Sequence, residues 1–162
     1  MQLLIIGKAL ILLIVANGIP VVLNSILGRD YSRSIDGGRR FLDGRPLLGA
    51  SKTFSGLLAS LLATSLFAPL LGISWVTGAL FALLAMVGDL FSSFLKRRLG
   101  MASSSKAIGL DQIPESLVPL LVCDSQLGLS ALDIVVCVIA FIVLELSFSP
   151  IFYWLGLKNR PY

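Results

Sequence analysis

The chain has 162 residues, 56% of them hydrophobic and only 14% charged, with a mean hydropathy of +0.93. Soluble domains carry roughly a quarter charged residues, so a soluble enzyme, a disordered tail and a fibrous protein are excluded, and a one-domain, all-α polytopic membrane protein remains. The net charge of +4 comes from 13 Lys and Arg against 9 Asp and Glu; the bases sit between apolar runs, which points to membrane-surface phosphates rather than nucleic acid.

The first predicted span runs from Leu3 to about Leu27. It lacks a charged leading segment, Lys8 interrupts it and no clear small-residue cleavage site follows, so it reads as a span and not as a cleaved signal. Pro20 predicts a kink. Asn17 and Asn24 are seven residues apart, share a face and point into the bundle, where helix–helix hydrogen bonding is the plain reading of Asn17.

A loop of about 25 residues, Gly28 to Thr53, follows. A loop of this length is functional or disordered, and its Gly37, Gly38, Gly44 and Gly49, alternating with Arg and Phe41, favour a functional loop that brings backbone close to a ligand. Its last part carries Arg45 and Gly49 into Lys52-Thr53 at the start of the next apolar run. Backbone N–H groups, a helix N-terminus and a lysine make an anion site; the alternative is a loop tethered to lipid headgroups by its bases.

The second and third predicted spans are Phe54 to Gly72 and Ser74 to Leu95. At the end of the third, Asp89, Ser92 or Ser93, and Lys96 share one helical face, a ladder rising ~10 Å from within the bilayer to its surface. An aspartate at that depth needs a cavity, a cation or a partner. It is either a metal ligand beneath a phosphate-binding rim of Lys96, Arg97 and Arg98, or the ion-pair partner of one of those bases.

The fourth stretch, about Ile108 to Leu127, is weaker, because it holds Asp111, Pro114, Glu115 and Pro119. It reads as a span because a crossing there keeps the tail, with Lys158 and Arg160, on the same side as the two basic loops. Asp111 and Glu115, four residues apart, repel unless something positive lies between them. A divalent cation with hard oxygen ligands fits; the alternative is that Asp111 merely caps a helix starting near Pro114. The last predicted span is about Leu129 to Leu157, with Glu145 deep inside it either as an interhelix hydrogen-bonding group or as part of a site. Cys123 and Cys137 have no metal-like spacing and read as reduced packing residues.

Arg29 to Lys52 holds six bases, Lys96 to Lys106 four, and Lys158 and Arg160 follow in the tail, while the connections near Gly72 and Asp124–Gly128 hold none. Five spans put the three basic segments on one side. The positive-inside rule then makes them cytoplasmic, with the N-terminus outside, in a multi-pass protein of the inner (cytoplasmic) membrane.

Several stretches, in this order, carry a family likeness: Asn17-Gly18-Ile19-Pro20, Asp36 through Gly49, Lys52 through Gly56, Gly88-Asp89, Ser93 through Gly100, and Leu110-Asp111-Gln112. On these the chain resembles the CDP-archaeol synthase family of small membrane cytidylyltransferases, relatives of phosphatidate cytidylyltransferases. The resemblance implies Mg²⁺-dependent transfer of CMP from CTP to a lipid phosphate, archaeol-phosphate-like or phosphatidate-like, with release of pyrophosphate. By the same carry-over, Asp89 and Asp111 are metal ligands, and Lys52, Lys96 and Arg97 hold phosphates with help from Thr53 and Ser93. Arg45 and Asn17, which lie in the matching stretches, join the expected substrate-binding set. The family pattern often has another Asp three residues after Asp111; here Pro114 stands there with Glu115 beside it, so either Glu115 substitutes as a metal ligand or the substrate branch differs. A homodimer is compatible with this reading.

A CDP-alcohol phosphotransferase is rejected, because its motif needs further spaced aspartates and Phe54 to Gly72 contains none. A non-enzymatic carrier or scaffold would explain the bases as topology signals but leaves Asp89 and Asp111 without a purpose.

Overall fold

The computed structural model describes residues 2–27 and 33–154. Arg29, Lys158 and Arg160, counted above among the basic flanks, and the last predicted span beyond residue 154 lie outside the described residues. Within them the elements are α1 (Leu3–Leu27), α2 (Phe54–Phe67) continuing into a 3₁₀ turn (Ala68–Leu71), α3 (Trp75–Arg98), α4 (Gln112–Val122), α5 (Asp124–Leu127) and α6 (Ala131–Trp154).

Four helices are long and apolar enough to cross a membrane: Leu3–Ile26, Phe54–Leu71, Trp75–Arg98 and Ala131–Phe148. They match four of the predicted spans to within a few residues at the ends that are described. α1 runs uninterrupted through Pro20. α2 is started by Thr53, whose hydroxyl accepts from the Gly56 N–H at 3.1 Å. The turn into α3 is closed by left-handed Gly72 (φ 73°) and by Ser74, which caps α3 by accepting from the Thr77 N–H at 3.0 Å.

The fourth stretch departs from a single continuous span over 108–127. Its helix α4 has 11 residues, a rise of ~16 Å and about half of a hydrocarbon core. Pro119 lies inside it, α4 stops at Cys123, and the single turn α5 ends on left-handed Gly128. The segment still runs the length of the bundle. Asp111 lies beside Lys96 at one end. At the other, Gly128 faces Ile5 and its carbonyl accepts from the Gln2 side chain at 3.3 Å. That second end also holds Lys8, beside Gly72, and Asp133, which accepts from the Gln2 backbone N–H at 3.1 Å.

The core is built from Ile6, Leu12, Leu13, Phe81, Leu120, Cys123, Ile134, Cys137 and Phe141. Leu58, Leu62 and Leu66 on α2, and Val135, Ile139 and Val143 on α6, turn outward instead, as expected where the solvent is hydrocarbon. The inward stripe of α2 is Gly56, Ser60 and Thr64, small residues that let neighbouring backbones approach; Ser60 donates to the Ala16 carbonyl of α1 at 2.7 Å. The closest approach is at Gly88, where an added Cβ would lie 2.2 Å from the Pro114 carbonyl oxygen. Cys123 and Cys137 are buried and free, as their spacing implied.

Candidate active site

The end of the bundle holding the loop 33–53 and the connection 99–111 carries every described base except Lys8. The first loop is folded upon itself. Isolated β-bridges pair Ser34 with Thr53 and Arg40 with Pro46, and the buried Asp36 carboxylate accepts from the backbone N–H groups of Gly38 (3.0 Å), Leu48 (3.0 Å) and Gly49 (2.9 Å). Burial opposes the charge of Asp36, but those donors outweigh it and hold the carboxyl below its usual range. Gly49 (φ 100°) meets the second loop so closely that a Cβ there would lie 2.8 Å from the Ser103 hydroxyl. Only glycine fits both that conformation and that space.

This loop delivers Lys52 to α3. The Lys52 ammonium donates to both oxygens of Asp89, at 2.6 and 2.5 Å. Asp89 is thus paired, and its partner comes from the distant loop instead of from Lys96, Arg97 or Arg98. Burial works against the Lys52 charge, yet Asp89, with Glu115 and Asp111 behind it, holds the ammonium above the ordinary lysine range. Lys96 reaches the other way, with its Nζ 2.6 Å from Asp111 Oδ1 and donating to the Ser105 carbonyl at 2.9 Å. Asp111 makes no side-chain cap bond to α4; its second oxygen accepts from the Ala107 N–H at 3.0 Å. The simple capping role is therefore not what the structure adopts. Ser92 and Ser93 are buried between Asp89 and Lys96 on the same helix, and the Ser92 hydroxyl donates to the Asp89 carbonyl at 2.9 Å.

Thr53 serves as more than a cap, since its hydroxyl also donates to Asn24 Oδ1 of α1 at 3.2 Å. Asn17, by contrast, donates to the Leu13 carbonyl of its own helix at 3.1 Å, which replaces the expected helix–helix bond. No hydrogen bond joins Asn17 to the lysine–aspartate pairs among the described residues. Its Oδ1 is buried without a partner there.

Arg97 is only 4% exposed and makes no hydrogen bond or ion pair among the described residues. It borders a cavity of about 280 Å³ lined also by Arg45, Pro46, Gly100, Met101, Ala102 and Ser103. A buried cation without a hydrogen-bonded counter-ion is costly, and two guanidinium groups on one cavity suit an oxyanion with several oxygens.

Glu115 is buried without a hydrogen bond among the described residues; Asp89, Glu145 and Asp111 repel it and Lys52 attracts it. No three carboxylates, cysteines or histidines among the described residues stand close enough to hold a metal ion by themselves. Magnesium, however, is usually held by one or two carboxylates completed by substrate phosphates and water. Asp89 and Asp111, each paired with a lysine, and Glu115 are hard-oxygen donors from which one or two such ligands could be drawn. Sequence reasoning missed Asp36 as the loop's anchor, although an Asp followed by two glycines is a turn signal.

Comparison with known proteins agrees with this architecture. The sequence pattern of the CarS-like, CDP-archaeol synthase family matches residues 2–162. The chain is 37% identical over 134 residues to a CDP-archaeol synthase of Sulfurisphaera tokodaii, covering 79% of this chain and 81% of that protein. It is 32% identical over 155 residues to one of Sulfolobus acidocaldarius, covering 92% and 91%. A solved structure, described as an intramembrane enzyme for archaeal membrane lipids biosynthesis, superposes with a TM-score of 0.70 at 32% identity over 85% of this chain and 90% of that one.

Proposed function

Since this chain belongs to the CDP-archaeol synthase family, we propose that it transfers CMP from CTP to an archaeol-phosphate-type lipid, forming a CDP-lipid and pyrophosphate. An oxygen of the lipid phosphate bonds to the α-phosphorus of CTP as the bond to the β-phosphate oxygen breaks, and pyrophosphate carries away the electron pair. A phosphate monoester is anionic near neutral pH, so no imidazole is needed, and the chain has none. The barrier lies in bringing anions together, and fixed cations lower it.

The observation that carries this reading is the buried Arg97, without a hydrogen-bonded partner among the described residues, on the cavity it shares with Arg45. That cavity takes the triphosphate. Lys52 and Lys96 hold phosphate oxygens at the membrane edge, and their departure frees Asp89 and Asp111. One or two of the carboxylates Asp89, Asp111 and Glu115, completed by substrate phosphate oxygens, would hold Mg²⁺, which when bound would neutralise phosphate charge. A carrier or scaffold role gives no reason for such a cavity.

The chain crosses the membrane five times in this reading, with α4 and α5 together as the fourth pass. Support comes from the clustering of the described bases at one end of the bundle, with Lys8 alone at the other. By the positive-inside rule that basic end faces the cytoplasm, the source of CTP, across the cytoplasmic membrane. The test is purified protein in detergent with labelled CTP, Mg²⁺ and a panel of ether- and ester-linked lipid phosphates. Labelled lipid forms with an archaeol-type phosphate; a blank across the whole panel refutes the reading.

A further inference from the structure

α3 ends on three consecutive cations with three different surroundings. Lys96 is paired with Asp111 and Arg97 borders the cavity. Arg98 does not line that cavity and turns its guanidinium onto the first loop. Its Nη1 donates to Asp43 Oδ1 at 2.5 Å and its Nη2 donates to the Pro46 carbonyl. Its Cζ lies 4.7 Å from the centre of the Phe41 ring and 5.0 Å from that of Phe94, and the two rings meet edge to face at 5.4 Å.

On the loop, what Arg98 grips surrounds Arg45. Asp43 Oδ1 also accepts the Arg45 backbone N–H at 3.1 Å, Phe41 donates its N–H to the Arg45 carbonyl at 2.8 Å, and Pro46 is the next residue. The Arg45 side chain in turn donates to the backbone carbonyl of Arg98 and lies against Gly100 on the cavity wall. The loop is fastened on both sides of Arg45, and the fastener is one planar fork between two rings.

We infer that Arg98 is a positioning residue that never touches the nucleotide but fixes Arg45 at the cavity, and so sets the affinity for the triphosphate of CTP. This rests on the cytidylyltransferase reading above. A lysine cannot replace the fork: it keeps the charge but loses the planar donors that serve Asp43 and Pro46 together, and the flat face that meets the rings. A cation acting only through its field would survive that exchange.

The test is steady-state kinetics of the purified full-length chain in detergent, varying CTP and lipid phosphate separately. Arg98→Lys is expected to raise KM for CTP roughly tenfold, with kcat within about twofold and KM for the lipid phosphate unchanged. In an Arg45→Ala background the same exchange is expected to change KM for CTP less than about twofold, because the group it positions is gone. Phe41→Leu, which removes one ring, keeps the test open if Arg98→Lys does not fold; it raises KM for CTP in the same direction by less, and that rise too disappears without Arg45. Wild-type KM in both variants overturns the inference, as does an undiminished effect in the Arg45→Ala background. A wild-type protein that makes no CDP-lipid overturns the function reading instead.

Discussion

Gly88 offers the most demanding perturbation, because its surroundings set a distance. A Cβ built there lies 2.2 Å from the Pro114 carbonyl oxygen, 2.5 Å from its carbon and 2.7 Å from the Glu115 nitrogen, all backbone atoms that no rotamer can move. Ordinary contact begins near 3.4 Å, so Gly88→Ala must push α4 from α3 by about 1 Å. Overpacking of this kind costs about 1–3 kcal/mol. The functional cost is larger. Gly88 adjoins Asp89, and Pro114–Glu115 lies between Asp111 and the rest of α4, so the shift opens the gap between the two acidic halves of the site. A misplacement of ~1 Å in reacting geometry costs on the order of 100-fold in rate. The assay is turnover of labelled CTP into CDP-lipid beside thermal unfolding in detergent. Gly7→Ala serves as control, since an added Cβ there meets nothing within 4 Å. Gly88→Ala is expected to lose about 100-fold in kcat and to unfold at a lower temperature, while Gly7→Ala does neither. Near-normal turnover in Gly88→Ala would refute the claim that contact between α3 and α4 sets the site.

Three further outcomes follow from the same geometry. Arg97→Met removes a buried cation with no hydrogen-bonded partner among the described residues, so the free protein is expected to be at least as thermostable as wild type while CTP no longer raises its unfolding temperature; destabilisation with protection by CTP retained would contradict the cavity assignment. Asp36 has its carboxyl held below the usual range, so its stabilisation is full above the unfolded carboxylate pKa of ~4 and is lost as pH falls through the lower folded value. The stability gap between wild type and Asp36→Ala, read by denaturation, is therefore expected to shrink as pH is taken from neutral to strongly acid; a gap constant with pH would contradict this. Cysteines introduced at Ser34 and Ser104 are expected to react with a membrane-impermeant reagent only from the cytoplasmic side, and labelling from opposite sides would break the shared site.

The apolar runs were legible because four of them are as long as a membrane crossing, and neither Lys8 nor Pro20 breaks the first of them. The fourth stretch was harder: it holds acidic residues and prolines, its helix α4 stops at Cys123, and Gly128 ends the next turn, so the helix is about half as long as the others that cross. The lysine pairs show a different limit. Spacing on α3 placed Asp89, Ser92 or Ser93, and Lys96 on one face, and the structure buries both serines between the other two. The partner of Asp89 is nonetheless 37 residues away, delivered by a loop whose path depends on Asp36 and Gly49. Pattern reading sees neighbours along a helix, and it has no access to where a glycine-rich loop returns. Arg98 illustrates the same point, since its neighbours Lys96 and Arg97 have equal claim to a phosphate and only the side-chain directions separate the three.

The most direct test of the whole account is the rate of CDP-lipid formation from labelled CTP and an archaeol-type phosphate by Asp89→Asn and Asp111→Asn, each purified beside the wild type. Both variants are expected to insert and purify normally and to form no measurable product. Turnover near the wild-type rate in either one would contradict a site built from these two carboxylates.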